Sequence, residues 1–282
     1  MRLLQTFCFV LFCVVGLQAQ DIHFSQFYMS PLNLNPALTG VMNCNSRIAV
    51  NYRSQWASIL GSSAFQTYSV SYAQRVAVGR NDFFGIGGTF WGDKAGQADF
   101  ATTTFLFADL AAGLLWFMVF DEHNSLYIGG AFHHLNRADQ SFDSSQDELL
   151  YSRYTAHAGG EFMLGQRFGL VPGIIIMNQG PSFQVNAGTN AKFLLDGGRN
   201  RSTQSFQVGV WTRVSNRFDS SVLTDALILS TRFDYENFAL GFSYDLNTSS
   251  LSTATDGNGG FELSMQYKIC GGQRKGVYCP QF

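Results

Sequence analysis

A period of two along nearly the whole chain limits the folds open to it more than any other feature. In "FELSMQYKI", Phe261, Leu263, Met265, Tyr267 and Ile269 alternate with Glu262, Ser264, Gln266 and Lys268. "FALGFSYDL" repeats the pattern, with Phe238, Leu240, Phe242, Tyr244 and Leu246 set against Ala239, Gly241, Ser243 and Asp245. "FQVNAGTNAKF", "RIAVNYR" and "TYSVSY" follow it, and no segment carries a helical period. Successive side chains of a strand point to opposite faces, so each run has one apolar and one small or polar face. Short turn signals separate the runs: "GRND" (79–82), "DEHN" (121–124), "GQR" (165–167), "NQGP" (178–181) and "DYE" (234–236).

Such strands can stack as a soluble sandwich or close as a barrel. Two features favour a membrane barrel. The polar faces mix Gly, Ala, Ser and Thr with isolated ions such as Arg47, Arg53, Glu161 and Lys268, which suits a crowded lumen. The apolar faces are heavily aromatic, as lipid-facing strands near the headgroups are. Charged residues make up only 13% of the chain, against about 25% in a soluble domain. The expected fold is therefore all-β: a transmembrane antiparallel β-barrel of about 12–14 strands, each near the ~10 residues that cross a bilayer. Residues 99–120 read as one long strand or as a hairpin plus an irregular piece.

The first residues, "MRLLQTFCFVLFCVVGLQAQD", read as a signal peptide, with Arg2 before an apolar run and a small residue at the expected cut after Ala19. "LAAGLLWFMVF" (110–120) is too short to be a spanning helix. A net charge of −2 gives no electrostatic reason for nucleic-acid binding. The expected organisation is a signal peptide (1–19), a plug-like periplasmic or lumenal segment (20–45), the barrel (46–270) and a periplasmic tail (271–282). With both termini periplasmic, the long polar stretches 136–152 and 247–260 fall on the outer side. The stretch "DGGRNRST" (196–203) is long for a periplasmic turn.

The opening of the exported chain, "QDIHFSQFYMSPLNLNPALTGV", alternates like a strand, yet Pro31 and Pro36 could not donate to a central ladder. Together with "NYRSQW" it resembles the start of the PorP/SprF family of the type IX secretion and gliding machinery of Bacteroidetes. The residues carrying the resemblance are Phe24, Ser25, Gln26 and Phe27; Asn35, Pro36, Ala37 and Gly40; and Arg53, Gln55 and Trp56. "GIGGTFWGDKAGQ" (85–97), "RYTAHAGGEF" (153–162) and "GFSYDLNTSSLS" (241–252) resemble later family blocks. The resemblance implies an outer-membrane barrel whose partners are secretion components and an adhesin-like secreted surface protein. On that reading the Pro-broken segment docks in the lumen or across its periplasmic mouth. Asn33 and Asn35 would bond lumenal groups while Phe24, Phe27 and Tyr28 pack on apolar patches.

No constellation of residues points to catalysis, a cofactor or a metal. His133 and His134 are adjacent and would face opposite sides of a strand, and His23, His123 and His157 are scattered. The acidic run "DQSFDSSQDE", with Asp139, Asp143 and Asp147, lacks the glycine and spacing of a calcium loop and reads as a solvated outer loop. With Asn247 and Asp256 in the other long stretch, these are the candidate partner-binding residues, since loops on rigid scaffolds carry function. Cys44 precedes the first strand, Cys270 follows the last and Cys279 lies on the tail, so one disulfide is expected, Cys44–Cys270 or Cys44–Cys279. The functional expectation is a barrel that binds, and helps retain or export, a secreted protein. The alternative is a general pore or small-solute transporter, and a barrel enzyme is the least favoured.

Overall fold

A computed structural model describes residues 21, 23–78, 82–94, 108–121, 124–139, 149–195, 204–216, 222–249, 252–271 and 279. The leader 1–19, His123, Asp143, Asp147 and most of the tail lie outside the described residues. The strands are β1 (Ser46–Gln55), β2 (Phe65–Ala77), β3 (Phe83–Lys94), β4 (Ala112–Val119), β5 (Ser125–His133) and β6 (Arg153–Met163). They continue as β7 (Phe168–Gln179), β8 (Ser182–Leu194), β9 (Ser205–Asn216), β10 (Val222–Tyr235), β11 (Phe238–Asn247) and β12 (Asn258–Ile269). All pairings are antiparallel, in the order β3-β2-β1-β12-β11-β10-β9-β8-β7-β6-β5-β4. The first strand pairs with the last over its full length, from Ser46 opposite Ile269 to Gln55 opposite Gly260. The described residues form an all-β, 12-stranded outer-membrane-type barrel. Of the ambiguous region 99–120, the described part supplies only the eight residues of β4.

Polarity is the reverse of a soluble protein's. On β12, Glu262, Ser264 and Gln266 are at most 1% exposed, whereas Leu263, Met265 and Tyr267 are 36% to 47% exposed. Arg47, Asn51 and Arg53 of β1 are likewise buried, while Val208, Val210, Leu227 and Leu229 face out. Buried polar groups persist only where they are hydrogen-bonded, and an exposed apolar band is stable only against lipid.

Strand parity gives the barrel two ends. The start of β1 and the end of β12 share one, here the terminus end, with the turns 78–82, 120–124, 164–167, 195–204 and 236–237. The longer connections 134–152 and 248–257 share the other, the loop end. At the terminus end a disulfide joins Cys44 to Cys270, with Cα atoms 4.3 Å apart, across the β1–β12 seam. Buried Cys279 docks beside it: its amide donates to Asn43 Oδ1 (2.7 Å) and its carbonyl accepts from Asn43 Nδ2 (3.0 Å).

Candidate functional site

Residues 23–44 lie inside the curled sheet, and their polar groups bond to strands on opposite sides of it. Both prolines start short helical turns instead of breaking a strand. Pro31 opens the single turn Pro31–Leu34, and Pro36 opens the 3₁₀ turn Pro36–Leu38, where a missing N–H costs nothing. Asn35 caps the second turn, its Oδ1 accepting from the Ala37 amide at 2.8 Å.

Four groups of contacts hold the segment. The first surrounds Ser25. Asp245 of β11 accepts from Arg53 of β1 (2.7 Å) and Arg213 of β9 (2.8 Å), and Arg53 also pairs with Glu262 of β12 (3.5 Å). The Ser25 hydroxyl donates to Asp245 (2.8 Å) and accepts from Arg213 (2.6 Å) and Arg53. The amides of Ser25 and Gln26 donate to the two oxygens of Glu262, at 2.7 and 3.0 Å. Two guanidiniums and two carboxylates therefore close on the backbone of the "FSQ" stretch, in the charge-assisted geometry that makes strong hydrogen bonds. Burial, then the positive fields of Arg53 and Arg213, hold His23 well below the usual histidine range, so it stays neutral.

The second group is apolar. Phe27 and Tyr28 pack on Trp211, with ring centroids 5.3 and 5.4 Å apart, and Met29 and Leu38 are wholly buried. Trp211 donates its indole N–H to Asn190 (2.8 Å), and the Met29 carbonyl accepts from Gln266 (3.1 Å).

The third group places the "NPALTG" stretch against β3, β4 and β5, which include both end strands of the described sheet. Asn35 Nδ2 donates to the carbonyls of Leu114 (3.0 Å) and Gly130 (3.2 Å) and lies 3.0 Å from His157 Nε2. This approach needs glycine on the wall. A Cβ on Gly113 would overlap Asn35 Oδ1, and one on Gly85 would overlap the Thr39 carbonyl. Gly40, at φ +78°, makes the turn out of the stretch. Gly113→Ala should therefore destabilise the folded barrel by roughly 1–3 kcal/mol. Urea titration in detergent checks this, with Gly61→Ala as the comparison for a positive-φ glycine that has no atom within 4 Å of its Cβ position.

The fourth group anchors the start of the segment at the loop end. Asp21 accepts from Arg153 (2.6 Å) and His134 (2.7 Å), its amide donates to Gln179 (2.9 Å), and His134 Nδ1 lies 3.0 Å from Asp109. Arg153 also donates to the Asn33 carbonyl (3.0 Å). This corrects two expectations. The start of the segment is not at the periplasmic end assigned to the N-terminus: the chain winds through the interior before entering β1. His133 and His134 are also both buried instead of facing opposite sides, because β5 ends at His133 and His134 adopts φ +59°. Burial pulls the His134 pKa down, but the hydrogen bond and charge of Asp21, with Asp109, outweigh it and leave it raised. Burial likewise opposes ionisation of Asp21, but Arg153 and then His134 hold its pKa down. The histidine contribution is therefore complete below about pH 6.5 and is lost as pH rises through the higher folded value. The aspartate contribution is lost only as pH falls through its lowered value, below the ordinary carboxylate range. Amide exchange of residues 23–26 should accelerate between pH 6 and pH 9, beyond the intrinsic rate change, and His134→Gln should flatten that dependence.

Of the expected family residues, Ser25, Gln26 and Arg53 come together around Glu262, while Asn35, Pro36 and Gly40 lie apart from them, on the β3–β5 side. Trp56 lies outside this cluster, in the loop-end connection at φ +57°, edge-on to Phe65. Of the loop residues, Asp139 bridges Leu149, Asn247 is tied to Thr255 and to the Asn258 carbonyl (both 3.1 Å), and Asp256 is exposed. Sequence reasoning did not single out Asp245, Glu262, Arg213, Asp21 or His134 as anchors. Their one signal is a charge at an inward position of an alternating strand, or beside its end.

A family model described as type IX secretion system membrane protein PorP/SprF matches residues 16–114 and 101–267. None of the curated proteins compared matches the chain. Among solved structures, the KdgM porin is 10% identical with a TM-score of 0.43, covering 79% of this chain and 99% of its own. An outer membrane channel from Pseudomonas putida F1 is 13% identical with a TM-score of 0.45, covering 83% and 98%. The translocator domain of the autotransporter NalP from Neisseria meningitidis is 12% identical with a TM-score of 0.35, covering 87% and 96%.

Proposed function

Because the chain belongs to the PorP/SprF family of type IX secretion system membrane proteins, we propose that this outer-membrane barrel binds a secreted, adhesin-like surface protein and helps retain or export it. The observation that carries this reading is the occupied lumen: the chain's own residues 23–44 hold positions a diffusing solute would need. A barrel filled by buried ion pairs and aromatic packing serves better as a rigid scaffold than as a general pore. Rigid scaffolds present their function on loops, and the strands flanking connections 134–152 and 248–257 both end at the loop end. Their Ser, Thr, Asp and Asn content suits hydrogen-bonded recognition of an extended or β-rich partner. In this orientation the loop end faces outward and the disulfide end faces the periplasm.

Deleting residues 139–146 while keeping normal barrel levels tests the assignment. Surface display of the co-purifying secreted protein should fall, and cross-linked capture from native membranes should lose it. Unchanged display and capture exclude that loop as the binding site. Loss of solute uptake in their place favours the pore.

A further inference from the structure

The lumenal segment does not fill the barrel evenly. Asn33 makes a floor near the loop end: its side chain donates to Ser69 of β2 (3.1 Å), and its carbonyl accepts from Arg153 of β6 (3.0 Å). The bond to Ser69 marks the inner face of β2, and Thr67 and then Phe65, nearer the loop end, share that face. Trp91 and Asp93 of β3 lie opposite Ser69 and Thr67, so they face inward as well. Deeper on the inner face Ser69, Ser71 and Ala73 are buried, yet Phe65 is 39% exposed, Asp93 is exposed, and Thr67 and Trp91 are half-buried. Inward side chains that stay accessible at the loop end line an open recess on the β2–β3 side. Trp56 packs edge-on to Phe65 there, with ring centroids 5.4 Å apart.

The recess joins aromatic surface to a carboxylate without a counter-charge. Asp93 accepts from the Thr67 hydroxyl (2.5 Å) and forms no ion pair among the described residues. The inward carboxylates Asp21, Glu161, Asp234, Asp245 and Glu262 each pair with an arginine or lysine. Asp21, the charge within electrostatic reach of Asp93, has the same sign. A carboxylate beside aromatic rings suits a guanidinium, which bonds the oxygens through a two-pronged contact and stacks on the ring faces. A sugar would also stack on the rings but would leave the charge uncompensated.

We propose that this recess receives an arginine side chain of the secreted partner, presented on an extended segment. The inference rests on the reading that the barrel binds such a protein, and adds the residue type that it reads. Asp93 takes the guanidinium, and Trp91 and Phe65 supply the ring surface.

The folded barrel in a neutral detergent is titrated with a blocked Gly-Ser-Arg-Ser-Gly peptide, with its Gln counterpart and with maltotriose, and indole fluorescence is followed. The expected result is a saturable change with the Arg peptide alone, weakening as salt is added. Asp93→Asn should weaken it about tenfold, the loss of roughly one charge-assisted contact. Asp93 is exposed, so its variant leaves the packed interior alone, and retained heat-modifiable mobility shows that it has folded. Phe65→Ala should also weaken the peptide, and is the second variant. No saturation by the Arg peptide, equal responses to Arg and Gln, a response to the sugar alone, or equal binding by the wild type and a folded Asp93→Asn variant overturns the proposal. Cross-linked capture of the secreted protein separates this from the broader reading. Capture that Asp93→Asn retains in full overturns the recess alone, whereas Arg-specific peptide binding without any capture upholds the recess and overturns the secreted partner.

Discussion

Asp245→Ala should destabilise the folded barrel by about 3–5 kcal/mol, the cost of breaking a buried pair from one side. Asp245 accepts from Arg53, Arg213 and the Ser25 hydroxyl, and all three stay buried when its carboxylate is removed. Glu262 remains, but it pairs only with Arg53, at 3.5 Å, and its oxygens already serve two backbone amides. Arg53 would be left with Glu262, and Arg213 with the partly exposed Asp225, 3.7 Å away. Urea unfolding in detergent measures the loss, and Arg213→Met made together with Asp245→Ala should recover part of it by removing a stranded cation. A midpoint unchanged in Asp245→Ala would show that the cluster is solvated and contributes little.

The second large effect concerns conduction. Replacing residues 24–38 with a flexible Gly-Ser linker of equal length removes Phe24, Phe27, Met29, Leu34 and Leu38 from the lumen, together with the Asn35 bonds to β4 and β5. A linker of that composition gains nothing by docking against a polar wall and stays mobile. The wild-type barrel should show no ion-conducting steps in a planar bilayer, and the replaced barrel should show clear ones. The variant should still assemble, because the strand ladders are independent of the segment. Two equally silent proteins would mean that the wall alone closes the lumen, and two equally conducting ones that the segment does not seal it.

The strands were legible because alternation is a local signal: "FELSMQYKI" names its own inner and outer faces. The docking of the opening segment was legible for a related reason, since two prolines and three aromatics fit neither a ladder nor a solvated tail. Its path was not. Asp21 meets His134 across 113 residues of sequence and Gln179 across 158, and a local pattern holds no information about such pairs. Asp245 illustrates the same limit. In "FALGFSYDL" it is simply one polar residue opposite an apolar row, and its role appears only when β1, β9, β11 and β12 curl around one serine. The burial of His134 depends on a left-handed backbone angle just past a strand end, which an unbroken alternation would not predict.

The route of the segment also constrains the order of assembly. It begins at one mouth, crosses the interior and enters β1 at the other, where Cys44 is bonded to Cys270. With that bond made, residues 44–270 are a covalent hoop around the chain's own leading end. A bulky anchor or fused domain placed ahead of Asp21 could not be drawn through the hoop after closure. In a chain still carrying such a group, the leading end would have to be laid in while β1 and β12 are apart, and for that chain pairing of the first strand with the last is the step that commits the molecule.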